Sequence, residues 1–283
     1  MQALTPFFLK NKTPFMDYSS LVSVSTKRRI QVLFWLRWLV LPAVCVLLIF
    51  MMNQPLFRVV VFGFCMLSYV AVGAWELSKR RQFVRESNFP RFLVGKLREK
   101  YPQLSTKDAD LVLRGLRQFF MAHLRSGRLF VAMPSQVADA AWHEFILHTR
   151  AYEAWCGIAF GKLLHHSPAE VLGKSSLRND GLRRAWYWAC KEESINPRQP
   201  SHLPLLFALD KKFSIAGGFH YMPDCRDIVG KSSSDAYCGS DFGDSGSGVS
   251  GDSGGFGGSE SSGSAGGGDG GDSGCGGGCG GGD

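Results

Sequence analysis

The sequence predicts an all-α protein made of a two-helix transmembrane hairpin, a small helical domain and a disordered tail rich in glycine, serine and aspartate. Three observations predict it: two long apolar runs near the N-terminus, a middle region with helical spacing of apolar residues, and a C-terminal region almost without apolar residues. The predicted boundaries are 1–29 for an N-terminal segment, 30–75 for the hairpin, 76–230 for the helical domain and 231–283 for the tail.

The hairpin is predicted from residues 30–52 and 56–75, which are apolar apart from a few polar positions that include Arg37 and Arg58. Each run has about 20 residues, the length that an α-helix needs to cross a hydrocarbon core. Both arginines lie within two turns of an end, where a long side chain reaches the interface. The first run is too long, and begins too late, for a signal peptide. A buried hairpin in a soluble protein is the alternative.

Charge predicts the orientation of this hairpin. Lys27-Arg28-Arg29 precedes it, Lys79-Arg80-Arg81 follows it, and the intervening turn is uncharged. Both termini are therefore expected on the cytoplasmic side of the cell membrane, in a multi-pass protein with reduced cysteines. Residues 1–230 carry 31 basic and 16 acidic side chains, which favours contact with anionic lipid headgroups. Nucleic acid is not expected, because the basic-aromatic pattern of nucleic-acid modules is missing.

Capping signals place the helices of the middle region. Ser105 and Asp108 form a capping box that opens a helix over Thr106–Leu124. Pro134 or Ser135 opens the next helix, which is predicted as a single helix that ends near Gly157 or Leu164. The later predicted helices begin at Ser167 and at Asn179 or Asp180, with Leu182, Trp186 and Ala189 on one face of the latter, and the last covers Leu203–Phe213.

The stretch "WHEFILHTRAYEAWC" (residues 142–156) has two competing interpretations. A zinc-protease helix spaces its histidines four apart, whereas His143 and His148 are five apart and point about 140° away from each other on a regular helix. Apolar and aromatic residues recur at helical spacing instead, which favours a structural role, with a carboxylate orienting His143. The residues predicted to form the structural core are Asp139, Trp142, His143, Phe145, Tyr152 and Trp155.

A metal or thiol site assembled from several helices is the alternative that the same residues leave open. The candidate ligands are His143, His148, Cys156, His165 and His166, with Cys190 or Cys225 as a fourth ligand, and separately Cys275 and Cys279 of the tail. The sequence leaves the cofactor open, and a transition metal such as zinc is the candidate ion for such a site. In a thiol enzyme, Cys156 is the candidate nucleophile and a nearby histidine its base.

The segment "VADAAWHEFILHTRAYEAWCGIAFGKLLHHSP" resembles the glycine-rich-domain-containing protein family. "LPLLFALDKKFSIAGGFHY" and the Cys-Gly tail resemble its bacterial membrane members, so the resemblance covers roughly residues 100–283. It implies a fold and a glycine-rich tail, and it transfers no catalytic residue.

The function expected from the sequence is a membrane-anchored scaffold or interaction module that presents its Gly/Cys tail to other proteins. This interpretation favours a non-enzymatic role and leaves the process and the oligomeric state open. The alternative is a metal-binding or thiol-dependent enzyme or carrier that uses His143, Cys156 and His165 or His166.

Overall fold

The computed structural model describes residues 24–51, 54–166, 176–223, 237–239 and 242, and within them the predicted all-α class is confirmed. Helices form nearly all of the regular structure, and the strands are two residues long. The elements are α1 (Val24–Trp35), a π-helical turn (Leu36–Val40), α2 (Leu41–Met51), α3 (Pro55–Glu86), α4 (Phe92–Lys100), α5 (Thr106–Arg125), α6 (Gln136–Leu147), α7 (Thr149–Ala159), α8 (Ser176–Glu192), α9 (Leu205–Lys212), β1 (Tyr221–Met222) and β2 (Tyr237–Cys238).

Two helices are long and apolar enough to cross a membrane: Thr26–Met51 and Pro55–Glu86, with mean hydropathy 2.4 and 2.0 in their most apolar windows. The described residues bury only 6% and 0% of these windows, so neither helix is packed as the core of a soluble domain. The π-helical turn lies where Pro42 has no N–H to donate to the carbonyl of Trp38, which explains the local change in helical pitch.

The second apolar helix, α3, continues past the hairpin into the helical domain. Its 32 residues extend about 48 Å, well beyond a hydrocarbon core of about 30 Å. The last turns therefore project from the apolar region, and Phe83 and Val84 are buried in the domain core. The hairpin and the domain thus share one continuous helix.

A buried arginine joins α3 to α7. Arg80 Nε donates to Glu76 (2.9 Å), and its Nη1 donates to the carbonyl of Ile158 (2.5 Å) near the end of α7. Arg37 lies against α3: its guanidinium lies 4.4 Å from the ring centre of Tyr69 and 3.9 Å from the Glu76 carboxylate. A carboxylate and an aromatic face on the neighbouring helix both stabilise this cation.

Helix α5 forms the centre of the domain and packs against α3, α4, α6, α8 and α9. The predicted capping box is present: Asp108 N–H donates to Ser105 Oγ (3.2 Å), and Ser105 N–H donates to the Asp108 carboxylate (3.0 Å). The largest buried side chains on α5 and the helices around it are aromatic: Phe119, Phe120, Phe145, Trp155, Phe160, Trp186 and Phe207.

The single long helix predicted after Ser135 is two helices. Ser135 caps α6 as expected, through a hydrogen bond from Ala138 N–H (3.3 Å). The chain leaves helical geometry at His148 (φ −89°, ψ 60°), and α7 begins at Thr149. The spacing of apolar residues does not reveal this break, because α7 turns its own apolar face to the same core.

The last helices also differ from prediction at their ends. α8 already begins at Ser176, so Asn179 and Asp180 lie inside it and are not caps. Leu182, Trp186 and Ala189 form its buried face as predicted. α9 spans Leu205–Lys212 within the predicted Leu203–Phe213, and the predicted helix start at Ser167 lies outside the described residues.

Packing continues beyond the predicted end of the domain at residue 230. β1 and β2 pair in parallel, with Tyr221 opposite Tyr237. Phe242 is only 3% exposed and lies with its ring centre 5.7 Å from Trp186 and 6.0 Å from Phe207. Phe242 lies within the glycine-rich composition that starts near residue 232, so the composition does not predict that this side chain is buried. The rest of the predicted tail lies outside the described residues.

Candidate metal centre

Helix α6 presents a carboxylate and an imidazole one turn apart. Asp139 Oδ2 and His143 Nδ1 are 3.3 Å apart, at the i and i+4 positions that share a helix face. Asp139 lies in the first turn of α6, where the positive end of the helix dipole stabilises a carboxylate. The predicted pairing of these two side chains is therefore present.

A second imidazole reaches the same carboxylate from a different part of the chain. The loop that follows α7 places His166 Nε2 2.9 Å from Asp139 Oδ1, and the rings of His143 and His166 lie 4.2 Å apart. One ligand-type atom from each of the three side chains lies within 4.8 Å of the other two. Within the described ranges, this is the group of histidine, cysteine and acidic residues that could hold a metal ion.

Buried aromatic side chains fix the loop that carries His166. Trp142 Nε1 donates to the hydroxyl of Tyr152 (3.0 Å), and that hydroxyl donates to the carbonyl of Leu164 (2.5 Å). Burial raises the pKa of Tyr152, so its hydroxyl keeps the proton that it donates. The ring of Trp142 also lies 4.6 Å from the ring of His166. The aromatic core therefore positions the histidine that is most distant along the chain.

The start of α6, on which Asp139 lies, is held by a buried carboxylate from α9. Asp210 is 1% exposed and accepts hydrogen bonds from Ser135 Oγ (2.7 Å) and from the N–H groups of Gln136 (2.7 Å) and Val137 (3.1 Å). Its Oδ2 also accepts from the N–H of Phe219 (3.0 Å). These bonds satisfy the free donors at the helix start and fix the first turn of α6.

Exposure of the three side chains shows that the cluster opens to solvent on one side. His143 is 49% exposed, Asp139 29% and His166 12%. Ligand atoms about 2.0–2.1 Å from a tetrahedral metal are roughly 3.3 Å apart. Here one oxygen of Asp139 lies 3.3 Å from His143 Nδ1 and the other lies 2.9 Å from His166 Nε2. Coordination of one ion by these three side chains would leave further positions for water.

The other sequence-predicted ligands do not join this cluster. His148 stacks on Phe92 (3.7 Å between ring centres), and its Nδ1 lies 3.1 Å from the carbonyl of Glu144. His165 is exposed and, as expected for neighbouring residues, its side chain does not join that of His166 at the cluster. Cys225, Cys275 and Cys279 lie outside the described residues.

The buried cysteines are poor nucleophiles and poor metal ligands. Burial raises the pKa of the Cys156 thiol to about 11 and that of Cys190 to about 12. Both thiols therefore stay protonated near neutral pH, whereas the thiolate is the reactive and metal-binding form. The geometry gives no support to Cys156 as a catalytic nucleophile.

The predicted structural core divides into two groups. Trp142, Phe145, Tyr152 and Trp155 are buried. Asp139 and His143 lie at the surface instead, because they occupy the face of α6 that turns away from α5 and toward the His166 loop.

Sequence reasoning assigned Asp139 only the role of orienting His143, while the structure places its carboxylate between two imidazoles. The available signal was an Asp and a His four apart, followed by a further His within thirty residues. The role of Asp210 was not predicted, since a single aspartate near the end of a helix forms no recognisable sequence pattern.

The fold and the cluster define an all-α protein with two potential membrane helices and a surface group of one carboxylate and two imidazoles. The chain belongs to the UCP032817-like family, whose pattern matches residues 79–242, more than half of the sequence. The match starts in the last turns of α3 and ends at the buried Phe242. Neither the curated proteins nor the solved structures contain a match to the chain. The resemblance to the glycine-rich-domain-containing protein family stays a prediction.

Proposed function

We propose that this protein is a membrane-anchored metal-binding module, in which Asp139, His143 and His166 bind a divalent transition-metal ion, with zinc as the first candidate. The convergence of these three side chains within 4.8 Å carries the proposal. One carboxylate and two neutral imidazoles form a donor set suited to zinc or iron(II). Aromatic packing around Trp142 and Tyr152 holds the third ligand in place.

The chemistry of the proposed site follows from its ligand count and exposure. Closed structural zinc sites use four protein ligands, whereas three leave a position for water, substrate or a ligand from a partner. The side chain of His143 is exposed, so such a molecule can reach the proposed site from solvent. The site therefore suits an exchangeable or reactive metal better than a purely structural one.

The proposed membrane arrangement is a multi-pass hairpin in the cell membrane with both termini in the cytoplasm. It is supported by the two exposed apolar helices and by the basic residues at both outer ends of the hairpin. Contacts with other proteins through the Cys275 and Cys279 tail remain part of this proposal as predicted from the sequence. Reporter fusions at the two termini should both give cytoplasmic activity, and a periplasmic signal from either would contradict the arrangement.

Metal analysis of the full chain, purified in detergent, tests the proposal. After removal of bound metal with a chelator and titration with zinc, we expect about one equivalent of retained zinc in the unmodified protein. His143→Ala and His166→Ala should each retain less than about a tenth of an equivalent, because two remaining ligands hold zinc poorly.

The matched control is His165→Ala, which removes the exposed imidazole next to His166 and should bind zinc like the unmodified protein. Cobalt(II) substitution should give visible ligand-field bands that disappear in His143→Ala. The proposal fails if the unmodified, folded protein retains less than a tenth of an equivalent of zinc, cobalt and iron(II), or if His165→Ala loses as much zinc as His166→Ala.

A further inference from the structure

A cavity of about 400 Å³ lies between α1 and α7, at the domain end of the hairpin. Its volume falls in the range of small-molecule sites, roughly 300–1,000 Å³. It does not include any residue of the proposed metal centre. The lining residues are Lys27, Ile30, Gln31, Phe34, Trp35, Arg80, Glu153, Ala154, Gly157, Ile158 and Gly161.

Aromatic residues place this cavity at the level of the bilayer interface. Trp35, Trp38 and Trp75 are 59%, 57% and 56% exposed on the outside of the hairpin, and Trp38 packs edge-on against Tyr69. Exposed tryptophans and tyrosines collect at the headgroup level of membrane proteins. Trp35 lines the cavity, and Lys27 lies about two turns further from the apolar core.

The walls of the cavity are divided between apolar and polar groups. Phe34, Trp35 and Ile158 supply an apolar wall near the aromatic level, whereas Lys27 and Gln31 stand at the outer end and are exposed. Arg80 is already bound to Glu76 and to the carbonyl of Ile158, so Lys27 is the cation that remains to meet a ligand among the lining residues. Glu153 adds one exposed carboxylate to the lining, so this distribution suits a phosphodiester placed at Lys27 together with an apolar chain.

We propose that the cavity binds one glycerophospholipid, with its phosphodiester at Lys27 and Gln31 and the start of an acyl chain along Phe34, Trp35 and Ile158. The inference depends on insertion of the hairpin into a bilayer, which supplies this molecule at the right depth and orientation. It does not depend on the metal centre. An exposed lysine and glutamine beside an apolar wall match the two parts of a phospholipid, whereas a second apolar helix offers no polar group to Lys27 and Gln31.

Native mass spectrometry of the full chain tests this site. The protein is reconstituted in vesicles of phosphatidylcholine with phosphatidylglycerol, extracted in mild detergent and progressively delipidated. We expect one phospholipid to remain when the other lipids are gone. Lys27→Ala should lower its occupancy at least several-fold, whereas the neighbouring Arg28→Ala, which removes the same charge outside the cavity, should leave it nearly unchanged.

A filling variant tests the apolar part of the site. Ala154→Trp projects a large side chain into the cavity and should expel the lipid, while Arg150→Trp, on an exposed position of the same helix, should retain it. Circular dichroism and thermal unfolding serve as an independent check that each variant is folded. Phosphatidylethanolamine in place of phosphatidylglycerol shows whether the rim carboxylate of Glu153 prefers an ammonium headgroup, and retention of either lipid supports the phosphodiester site.

Three results would overturn the proposal. Equal loss of lipid in Lys27→Ala and Arg28→Ala would mean diffuse attraction to the membrane surface. Complete loss of lipid from the unmodified protein would exclude a specific site. Binding that appears only after deletion of residues 2–23 would show that this segment of the chain fills the cavity instead.

Discussion

Burial sets the chemistry of single side chains in this protein, and His123 is an example. It lies 5% exposed on α5, its Nδ1–H donates to the carbonyl of Leu129 (3.0 Å), and Phe160 packs edge-on against its ring. Burial lowers the pKa of His123 to about 4, with smaller contributions from Lys162 and Arg128. It is therefore a neutral structural histidine near neutral pH.

Because the folded pKa of His123 is below the ordinary value of about 6.5, the unfolded chain binds a proton that the folded chain excludes. Its contribution to stability is complete above pH 6.5 and is lost as the pH falls toward 4. The free energy of unfolding should drop by up to about 3 kcal/mol over this range. Thermal unfolding followed by tryptophan fluorescence, in detergent and with chelator present, measures it.

His123→Gln should remove most of this pH dependence, whereas His202→Gln, at a side chain 63% exposed, should leave it unchanged. An identical pH profile in the unmodified protein and His123→Gln would show that other groups, such as carboxylates, cause the acid sensitivity.

At the scale of elements, side chains from elsewhere in the chain decide how helices begin and how they are oriented. Asp210, on α9, caps α6 together with Ser135. Glu193 and Gln118 act in the same way on α9: Glu193 accepts from the N–H of Leu205 (2.7 Å), and Gln118 accepts from the N–H of Leu206 (2.9 Å). The helix starts are therefore mutually dependent, and removal of one cap weakens two elements.

Asp210→Asn keeps the shape of the side chain and removes its charge and one accepting oxygen. We expect a loss of about 2–4 kcal/mol in the free energy of unfolding, because buried donors at the start of α6 lose a charged partner. Asp110→Asn, at an exposed position of α5, is the matched control and should change stability by less than about 0.5 kcal/mol. Equal melting temperatures for the two variants would show that the cap at α6 contributes little.

At the scale of the whole molecule, the core of the described residues extends from Ile30 of α1 and the end of α3, which also forms half of the hairpin, to Phe242. Phe242 closes the core beside Trp186, and Gly239 lies so close to that ring that an added Cβ would be 2.3 Å from it. α3 continues from the apolar region into the buried Phe83 and Val84. Both ends of the domain are thus fixed by contacts that cross the predicted boundaries.

Two truncations test the end of the domain. A chain that stops after Gly246 should unfold within about 0.5 kcal/mol of the full chain, because all described contacts remain. A chain that stops after Gly230 loses β2 and Phe242 and should be less stable by about 3 kcal/mol or more. The point variant Phe242→Ala should reproduce most of that loss. Equal stability of both truncated chains would place the end of the domain near residue 230.

The sequence by itself determined the features that depend on neighbouring residues. The length of the apolar runs predicts the two long apolar helices, and residues three apart predict the capping box of α5. The site was predicted in part: His143 and His166 were both named as ligands, and the spacing of Asp139 and His143 on one helix face followed from helical geometry alone.

Only the tertiary structure decided which distant groups meet. The predicted helix ends at His148, and His166 contacts the carboxylate of Asp139, 27 positions earlier. Asp210 accepts a hydrogen bond at the start of α6, 74 positions before it. Periodicity and capping patterns extend over a few residues, while these contacts depend on the path of the whole chain around its aromatic core. Asp139 therefore became the centre of a candidate metal site only when the fold had placed the loop after α7 beside it.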